Sequence, residues 1–174
     1  MNVKFDQYLV KCGQDIKAHC ERTGLKMQQI LIQMGHEKLL QLWCWEGETP
    51  LKYHDIGKFK NSNDLNKRHM EQGAELFRKC YDKSTGKTSE RIFYSIGIDL
   101  CRYHHENWNG QGNVSGFSKT DIPFVARICA VANAWDHLEH SGLNVMEIQS
   151  KIEKNKEILF DPEIVDAVKV LLLN

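Results

Sequence analysis

The spacing of apolar residues along the chain predicts helices joined by short loops. Between residues 5 and 20, apolar side chains recur every three or four positions, which is the period of one helical face. No segment shows the apolar-polar alternation of a strand, and residues 107–120 have the composition of a long irregular loop. The same helical spacing recurs over residues 25–45, 67–81, 91–105, 122–140, 145–158 and 162–172. The pattern therefore predicts an all-α fold, a single-domain helical bundle over residues 1–174.

The charge balance excludes two classes of function. The 174 residues carry 23 basic and 23 acidic side chains, so the formal net charge is zero. This balance argues against bulk nucleic-acid binding and against a polybasic membrane surface. The chain also has no apolar run long enough to span a bilayer and no signal-peptide pattern, which predicts a cytoplasmic protein without membrane contact.

Six cysteines are scattered singly along the chain, with no Cys-x-x-Cys motif. In a reducing compartment, this pattern favours small buried apolar side chains over disulfides.

Histidines and carboxylates provide the candidate chemistry. His54 and Asp55 are adjacent in the string HDIGK, and a neutral imidazole beside a carboxylate suits Mn, Fe or Zn. Asp15 and His19 are four residues apart, so they share one face of the first predicted helix. Helical bundles build metal sites from inward-facing side chains on separate helices. Further histidines for such a site stand on two other predicted helices, at His69, His104 and His105.

Five strings, in the same order and relative placement, resemble the HD-GYP branch of the HD-domain metal-dependent phosphohydrolases. The resemblance runs from Asp15 to the C-terminus and implies a helical bundle. It also implies two or three divalent metal ions, most often Fe or Mn, and cleavage of phosphodiesters, of which cyclic di-GMP is the best-known example. The strings are HDIGK (54–58), HMEQGAELF (69–77), YHHENWNGQG (103–112), IPFVARICAVANAWD (122–136) and FDPEIVDAV (160–168).

The resemblance also implies roles for individual residues. Asp55 is placed to bridge two ions and to act in catalysis, together with Lys58, which is placed to meet the substrate phosphate. Gly112 and Asn113 are placed to contact substrate. The implied metal ligands are Asp15, His19, His54, Asp55, His69, His104, His105 and Asn133.

Three histidines fall outside this assignment. His36, in GHEKLLQLW, is an alternative to His19 as the first ligand. His137 and His140 match no motif, and we expect them on the surface of a helix end.

The chain departs from the family pattern in four places. Gly112-Asn113-Val114 replaces Gly-Tyr-Pro, and Asn133 stands where the family has a metal-binding aspartate. The segment between HDIGK and His69 is shorter than usual, and the segment after Asp136 lacks the arginine that contributes to substrate binding. Two alternative functions therefore remain: a phosphodiesterase acting on cyclic di-GMP or a related nucleotide, or a degenerate domain that binds a nucleotide or a protein. The pattern leaves open a homodimer or a signalling partner protein.

Overall fold

The computed structural model describes residues 4–59, 68–111 and 115–173. These residues form no β-strand, which confirms the predicted all-α fold. No helix among them is both long enough and apolar enough to cross a lipid bilayer. The helices are α1 (Phe5–Lys11), α2 (Gln14–Gln33), α3 (Glu37–Trp43), α4 (Arg68–Lys83), α5 (Thr88–Tyr103), α6 (Phe124–His140), α7 (Val145–Lys154) and α8 (Pro162–Leu173).

The helix boundaries in the N-terminal third differ from the prediction. The apolar spacing predicted helices over residues 5–20 and 25–45, but the chain breaks at Gly13 and again at Gly35. Both glycines adopt a left-handed backbone, with φ of 95° and 73°, which glycine reaches without a steric penalty. The side-chain spacing continues across both breaks and so does not reveal them. As a result, α2 is one helix of 20 residues that carries His19 in its first half.

The core consists of two clusters of buried side chains. An aliphatic cluster joins α2, α5, α6, α7 and α8 and includes Ile30, Leu51 and Ile128. An aromatic cluster joins α1, α4 and α5, where the rings of Phe5 and Phe77 stack with centroids 4.3 Å apart. Both clusters bury apolar area that drives folding.

Two short 3-10 turns between α3 and α4 hold the His54-Asp55 pair. The first spans Pro50–Tyr53 and the second spans Ile56–Phe59. Leu51 in the first turn packs in the aliphatic cluster, whereas Tyr53 and Ile56 pack in the aromatic cluster. The pair is therefore anchored on both sides by buried side chains.

Gly57 permits a close approach between the second turn and α4. A Cβ atom at Gly57 would lie 1.9 Å from the backbone oxygen of His69 and 2.7 Å from the backbone nitrogen of Gly73. Because any larger residue would collide with backbone atoms, only glycine fits here. This approach brings the start of α4, and with it His69, against the turn that carries Asp55.

The described residues between α5 and α6 are irregular, as predicted, except for a 3-10 turn at Lys119–Asp121. Backbone N–H groups of Trp108 and Asn109 donate to the carbonyls of Leu159 and Ile158, each at 3.0 Å. These bonds tie the segment that follows His104 and His105 to the connection between α7 and α8.

All six cysteines are free, and five of them are buried, as the sequence predicted. Burial raises the pKa of the Cys20, Cys101 and Cys129 thiols well above the usual value, and the Asp55 carboxylate adds to the effect. The Cys101 thiol donates to the backbone oxygen of Tyr53 at 3.2 Å. The Cys101 thiol thus contacts the backbone directly before His54 and Asp55.

Candidate metal centre

Asp55 lies at the centre of a group of imidazoles. Its Oδ1 atom is 3.2 Å from Nε2 of His69 and 3.6 Å from Nε2 of His104. Its Oδ2 atom is 3.5 Å from Nε2 of His54. Both His54 and Asp55 are buried, with 0% and 4% of their surface exposed. One carboxylate therefore faces three ring nitrogens in a site that excludes most water.

Around Asp55 the donor atoms form two groups, each compact enough to surround one cation, and a third group, without Asp55, consists of Asp136, Glu139 and His140. The first contains Asp55, His69, His104 and His105, and the second contains His19, His54 and Asp55. Within each group, the ligand atoms lie within 4.8 Å of one another, and Asp55 belongs to both. The residues come from α2, the turn, α4 and the end of α5, so the fold assembles them from four separate parts of the chain.

Several of the ring nitrogens are buried without a hydrogen bond to any described residue. They are both nitrogens of His54 and the Nε2 atoms of His19 and His104. Buried polar atoms of this kind are rare, because each one loses its bond to water without replacement. A divalent cation accepts lone pairs from such nitrogens. The donor set therefore fits a metal ion of the Mn, Fe or Zn type.

The protonation states suit coordination. Burial lowers the pKa of His54 well below its usual value, so its imidazole is neutral at neutral pH. Burial, followed by the nearby His104 and His69, lowers the pKa of His105 to about 3. Neutral imidazole is the form that binds metals.

Asp55 remains ionised despite its burial. Burial alone would raise the pKa of its carboxyl, but the imidazoles of His54 and His104 and the ammonium of Lys58 outweigh that effect and hold the pKa well below its usual range. The Nζ atom of Lys58 donates to Oδ2 of Asp55 at 2.5 Å. The side chain of Lys58 is 25% exposed, so this ammonium lies at the edge of the site.

The structure brings together most of the predicted ligands, but not all. Asp15 is exposed and belongs to neither donor group, although it stands one turn before His19. His36 is exposed at the start of α3, where its ring contacts the ring of Phe124. Of the two candidates for the first ligand, His19 is the one whose ring lies against that of His54. Gly112 and Asn113 lie outside the described residues.

Asn133 lines a neighbouring cavity of about 250 Å³, together with His104 and His105. Its Oδ1 atom is buried and has no hydrogen-bond partner among the described residues. His137 lines the same cavity, and its ring stacks on that of His19 with the ring centroids 4.5 Å apart. The expectation that His137 is only a surface residue was therefore incomplete, because the residue is exposed and also borders the site.

Asp136 is a residue whose place at the site was missed by sequence reasoning. Its carboxylate is 1% exposed and lies 2.8 Å from Nδ1 of His19. Arg22 and Lys26, which also contact Asp136, follow His19 by three and seven residues. That spacing puts two cations on the His19 face of α2, a signal that could have indicated a buried anion opposite.

Comparison with protein families points to the same helices that carry the histidines. A sequence model of the HD domain matches residues 60–164, which is more than half of the chain. The matched range contains His69, His104 and His105, and the His54-Asp55 pair precedes it.

Three curated bacterial proteins are similar in sequence. A "Cyclic di-GMP phosphodiesterase" of Thermotoga maritima is 24% identical over 86% of this chain and 42% of its own length. A "3'3'-cGAMP-specific phosphodiesterase 2" of Vibrio cholerae is 24% identical over 71% of this chain and 25% of its own length. The "Cyclic di-GMP phosphodiesterase response regulator RpfG" of Xanthomonas campestris is 25% identical over 84% of this chain and 39% of its own length.

The chain spans less than half of the length of each of these relatives. The similarity therefore concerns the helical domain that holds the histidine cluster. Together with the match over more than half of the chain, it shows that this chain belongs to the HD-domain family.

Proposed function

We propose that this chain is a metal-dependent phosphodiesterase that hydrolyses a cyclic dinucleotide. The observation that carries the proposal is the convergence of five imidazoles, three of them buried, on the Asp55 carboxylate, in two donor groups that share it. The names of the similar proteins supply the substrate class, since they act on cyclic di-GMP or 3'3'-cGAMP.

The two donor groups are the proposed metal ligands. His69, His104 and His105 would hold one cation and His19 and His54 a second, with Asp55 contributing to both. Imidazole nitrogen with carboxylate oxygen suits Fe, Mn or Zn, and the family resemblance favours Fe or Mn among these. When bound, such cations supply Lewis acidity and a water molecule of lowered pKa. The third cation, which Asp15 would bind in the family pattern, has less support because Asp15 is exposed.

Lys58 is the proposed phosphate-binding group. Its ammonium lies at the edge of the site and donates one hydrogen bond to Asp55, which fixes its position. An ammonium has three N–H donors, so two are left for a phosphate oxygen. A positioned cation stabilises the negative charge that develops on phosphoryl oxygens when water attacks phosphorus and the ester oxygen leaves. The nearby cavity, whose lining includes His104, His105, Asn133, Leu159 and Phe160, would receive part of the substrate.

The experiment uses protein purified without oxygen or chelator and loaded with Mn²⁺ or Fe²⁺. It is incubated with cyclic di-GMP and with 3'3'-cGAMP, and the linear products are separated by chromatography. We expect hydrolysis that is lost in a His54→Ala/Asp55→Ala variant and retained in a His36→Gln variant, since His36 is an exposed histidine away from the cluster. Full metal loading with no hydrolysis of either compound would overturn the proposal and favour a nucleotide-binding or protein-binding module.

Lys58→Ala separates binding of metal from action on phosphate. We expect hydrolysis to fall by about 100-fold, the effect of losing one charge-stabilising donor, while metal content stays unchanged. Lys79→Ala is the matched control, because Lys79 is exposed on α4 and pairs only with Glu75 among the described residues. Equal activity in both lysine variants would contradict the role of Lys58.

A further inference from the structure

A buried anion lies behind His19, on the side away from the proposed metal centre. The Asp136 carboxylate on α6 is 1% exposed, and its Oδ2 atom lies 2.8 Å from Nδ1 of His19. His19 also belongs to the donor group with His54 and Asp55, and its Nε2 atom, on the other side of the ring, is buried without a hydrogen-bond partner among the described residues. The imidazole thus stands between Asp136 and the candidate site.

The cations around Asp136 determine the direction of this hydrogen bond. Arg22 donates through Nε to Oδ1 and through a terminal nitrogen to Oδ2, each at 3.0 Å. Lys26 donates to Oδ1 at 3.1 Å. A carboxylate held by three such donors is an acceptor only. The Nδ1 atom of His19 must therefore donate, which means that it carries the ring proton.

The position of that proton decides whether His19 can bind a metal. With the proton on Nδ1, the lone pair of Nε2 is free to coordinate. The Nε2 atom is in fact buried without a hydrogen-bond partner among the described residues. Carboxylates that accept from a metal-binding histidine in this way orient the ring and increase its basicity.

We propose that Asp136 is the positioning residue of His19, and that Arg22 and Lys26 hold Asp136 in place for this purpose. The carboxylate fixes the Nδ1–H tautomer and directs Nε2 towards His54 and Asp55. Arg22 and Lys26 come from the same helix as His19, so α2 provides both the ligand and the clamp, while α6 provides the anion. The inference rests on the proposed function only in that it takes His19 as a ligand.

Asp136→Asn tests the inference because the amide reverses the hydrogen bond. Arg22 and Lys26 offer only donors, so Nε of Arg22 and Nζ of Lys26 would keep the amide oxygen at the Oδ1 position. The NH₂ group would then face Nδ1 of His19, and the terminal nitrogen of Arg22 would lose its acceptor. The ring proton then moves to Nε2, which blocks coordination. We expect long-range ¹H–¹⁵N correlation of the metal-free protein to show His19 as the Nδ1–H tautomer in the wild type and as the Nε2–H tautomer in the variant.

Metal affinity is the second measurement, with Mn²⁺ alone as the probe. We expect Mn²⁺ binding to weaken by about 10- to 100-fold in Asp136→Asn, the usual effect of losing such a partner. Asp166→Asn is the matched control, since Asp166 is exposed, accepts a hydrogen bond from Lys156 at 2.6 Å and belongs to no donor group among the described residues. The control should keep the wild-type tautomer and Mn²⁺ affinity.

The outcomes separate this inference from the proposed function. An Nε2–H tautomer of His19 in the metal-free wild type would overturn the inference even if Asp136→Asn does not fold. An unchanged tautomer or an unchanged Mn²⁺ affinity in a folded Asp136→Asn variant would overturn it as well. A wild type that binds Mn²⁺ with the expected tautomer but hydrolyses no phosphodiester would refute the proposed function and leave the role of Asp136 intact.

Discussion

Asp55 is the residue on which the candidate centre depends, because its carboxylate belongs to both donor groups. Asp55→Asn keeps the shape of the side chain and removes its charge. We expect the variant to bind Mn²⁺ at least about 100-fold more weakly, since each cation loses an anionic ligand and neutral imidazoles remain. Titration calorimetry of the metal-free protein measures the change.

Asp15→Asn provides the comparison and tests a sequence prediction. The Asp15 carboxylate is exposed and outside both groups, so we expect its loss to leave Mn²⁺ binding within about twofold of the wild type. A loss as large as that of Asp55→Asn would show that Asp15 is a ligand, as the sequence resemblance implied, and that this part of α2 moves when metal binds.

The buried imidazoles predict a pH dependence of stability in the metal-free protein. The pKa of His105 is lowered to about 3 and that of His54 is lowered well below its usual value, whereas an unfolded histidine has a pKa of about 6.5. Between these values the unfolded chain binds more protons than the folded chain. The free energy of unfolding is therefore highest above about pH 6.5 and falls as the pH decreases. His105 accounts for a loss of about 2 kcal/mol at pH 5, and His54 acts in the same direction.

Urea unfolding of the metal-free protein at pH 7.5 and pH 5 measures this change. His105→Gln should lose less stability over the interval, because one buried imidazole is absent. His36→Gln should behave as the wild type, since His36 is exposed. A free energy of unfolding that does not change between the two pH values would show that the imidazoles are not buried in solution.

The clustering of the candidate ligands was predictable from sequence to the extent that the residue type itself carries the chemistry. His54, Asp55, His69, His104 and His105 stand in motifs and come together in the structure. The role of Asp136 was not predictable, because it depends on the packing of α6 against α2, more than 100 residues apart in the chain. Helical spacing shows which residues share a face and does not show which helix that face will meet.

At the scale of elements, the contact between the second 3-10 turn and α4 sets the distance from Asp55 to His69. Gly57→Ala would place a methyl group 1.9 Å from the backbone oxygen of His69, and backbone atoms cannot move away as a side chain can. We expect a loss of about 1–3 kcal/mol in the free energy of unfolding, with weaker Mn²⁺ binding, because α4 must shift away from the turn.

Gly86→Ala is the control for this substitution. Gly86 has a φ of 119° and no neighbour within 4 Å, so alanine there costs backbone strain of about 1 kcal/mol without displacing α4. Mn²⁺ binding should stay at the wild-type level. If Gly57→Ala also retained wild-type Mn²⁺ binding, the close approach of the turn and α4 would not govern the position of His69.

The later helices were easier to predict than the first three. The predicted helices over residues 122–140 and 162–172 agree with α6 and α8 within about two residues, because loops and prolines mark their ends. The breaks before and after α2 depend on the backbone of Gly13 and Gly35, and the apolar spacing passes through both. Side-chain patterns record which face is buried, whereas a glycine can end a helix without altering that pattern.

At the scale of the whole molecule, bound metal would tie together α2, the turn, α4 and α5. The unfolded chain holds these ligands far apart, so metal binds the folded state preferentially. At a free concentration 100 times the dissociation constant, this adds about 2.7 kcal/mol to the free energy of unfolding. For a chain of this size, we expect removal of the metal to lower the melting temperature by about 5–10 °C.

Calorimetric scans before and after chelation measure this shift, and return of Mn²⁺ should reverse it. The His54→Ala/Asp55→Ala variant should melt at one temperature under both conditions. A wild type that melts at the same temperature with and without Mn²⁺ would show that the cluster does not bind the ion in the folded state.

The free cysteines around Asp55 have a consequence for the choice of ion. Thiolate is the softest donor that a protein offers, and it attracts Cu(I), Cd²⁺ and Zn²⁺ strongly. Burial keeps Cys20, Cys101 and Cys129 protonated, and a protonated thiol is a poor ligand. No cysteine belongs to either donor group around Asp55, so an ion held there would be bound by nitrogen and oxygen atoms. We therefore expect the site to take up Cu(I) and Cd²⁺ less readily than a site with cysteine ligands would.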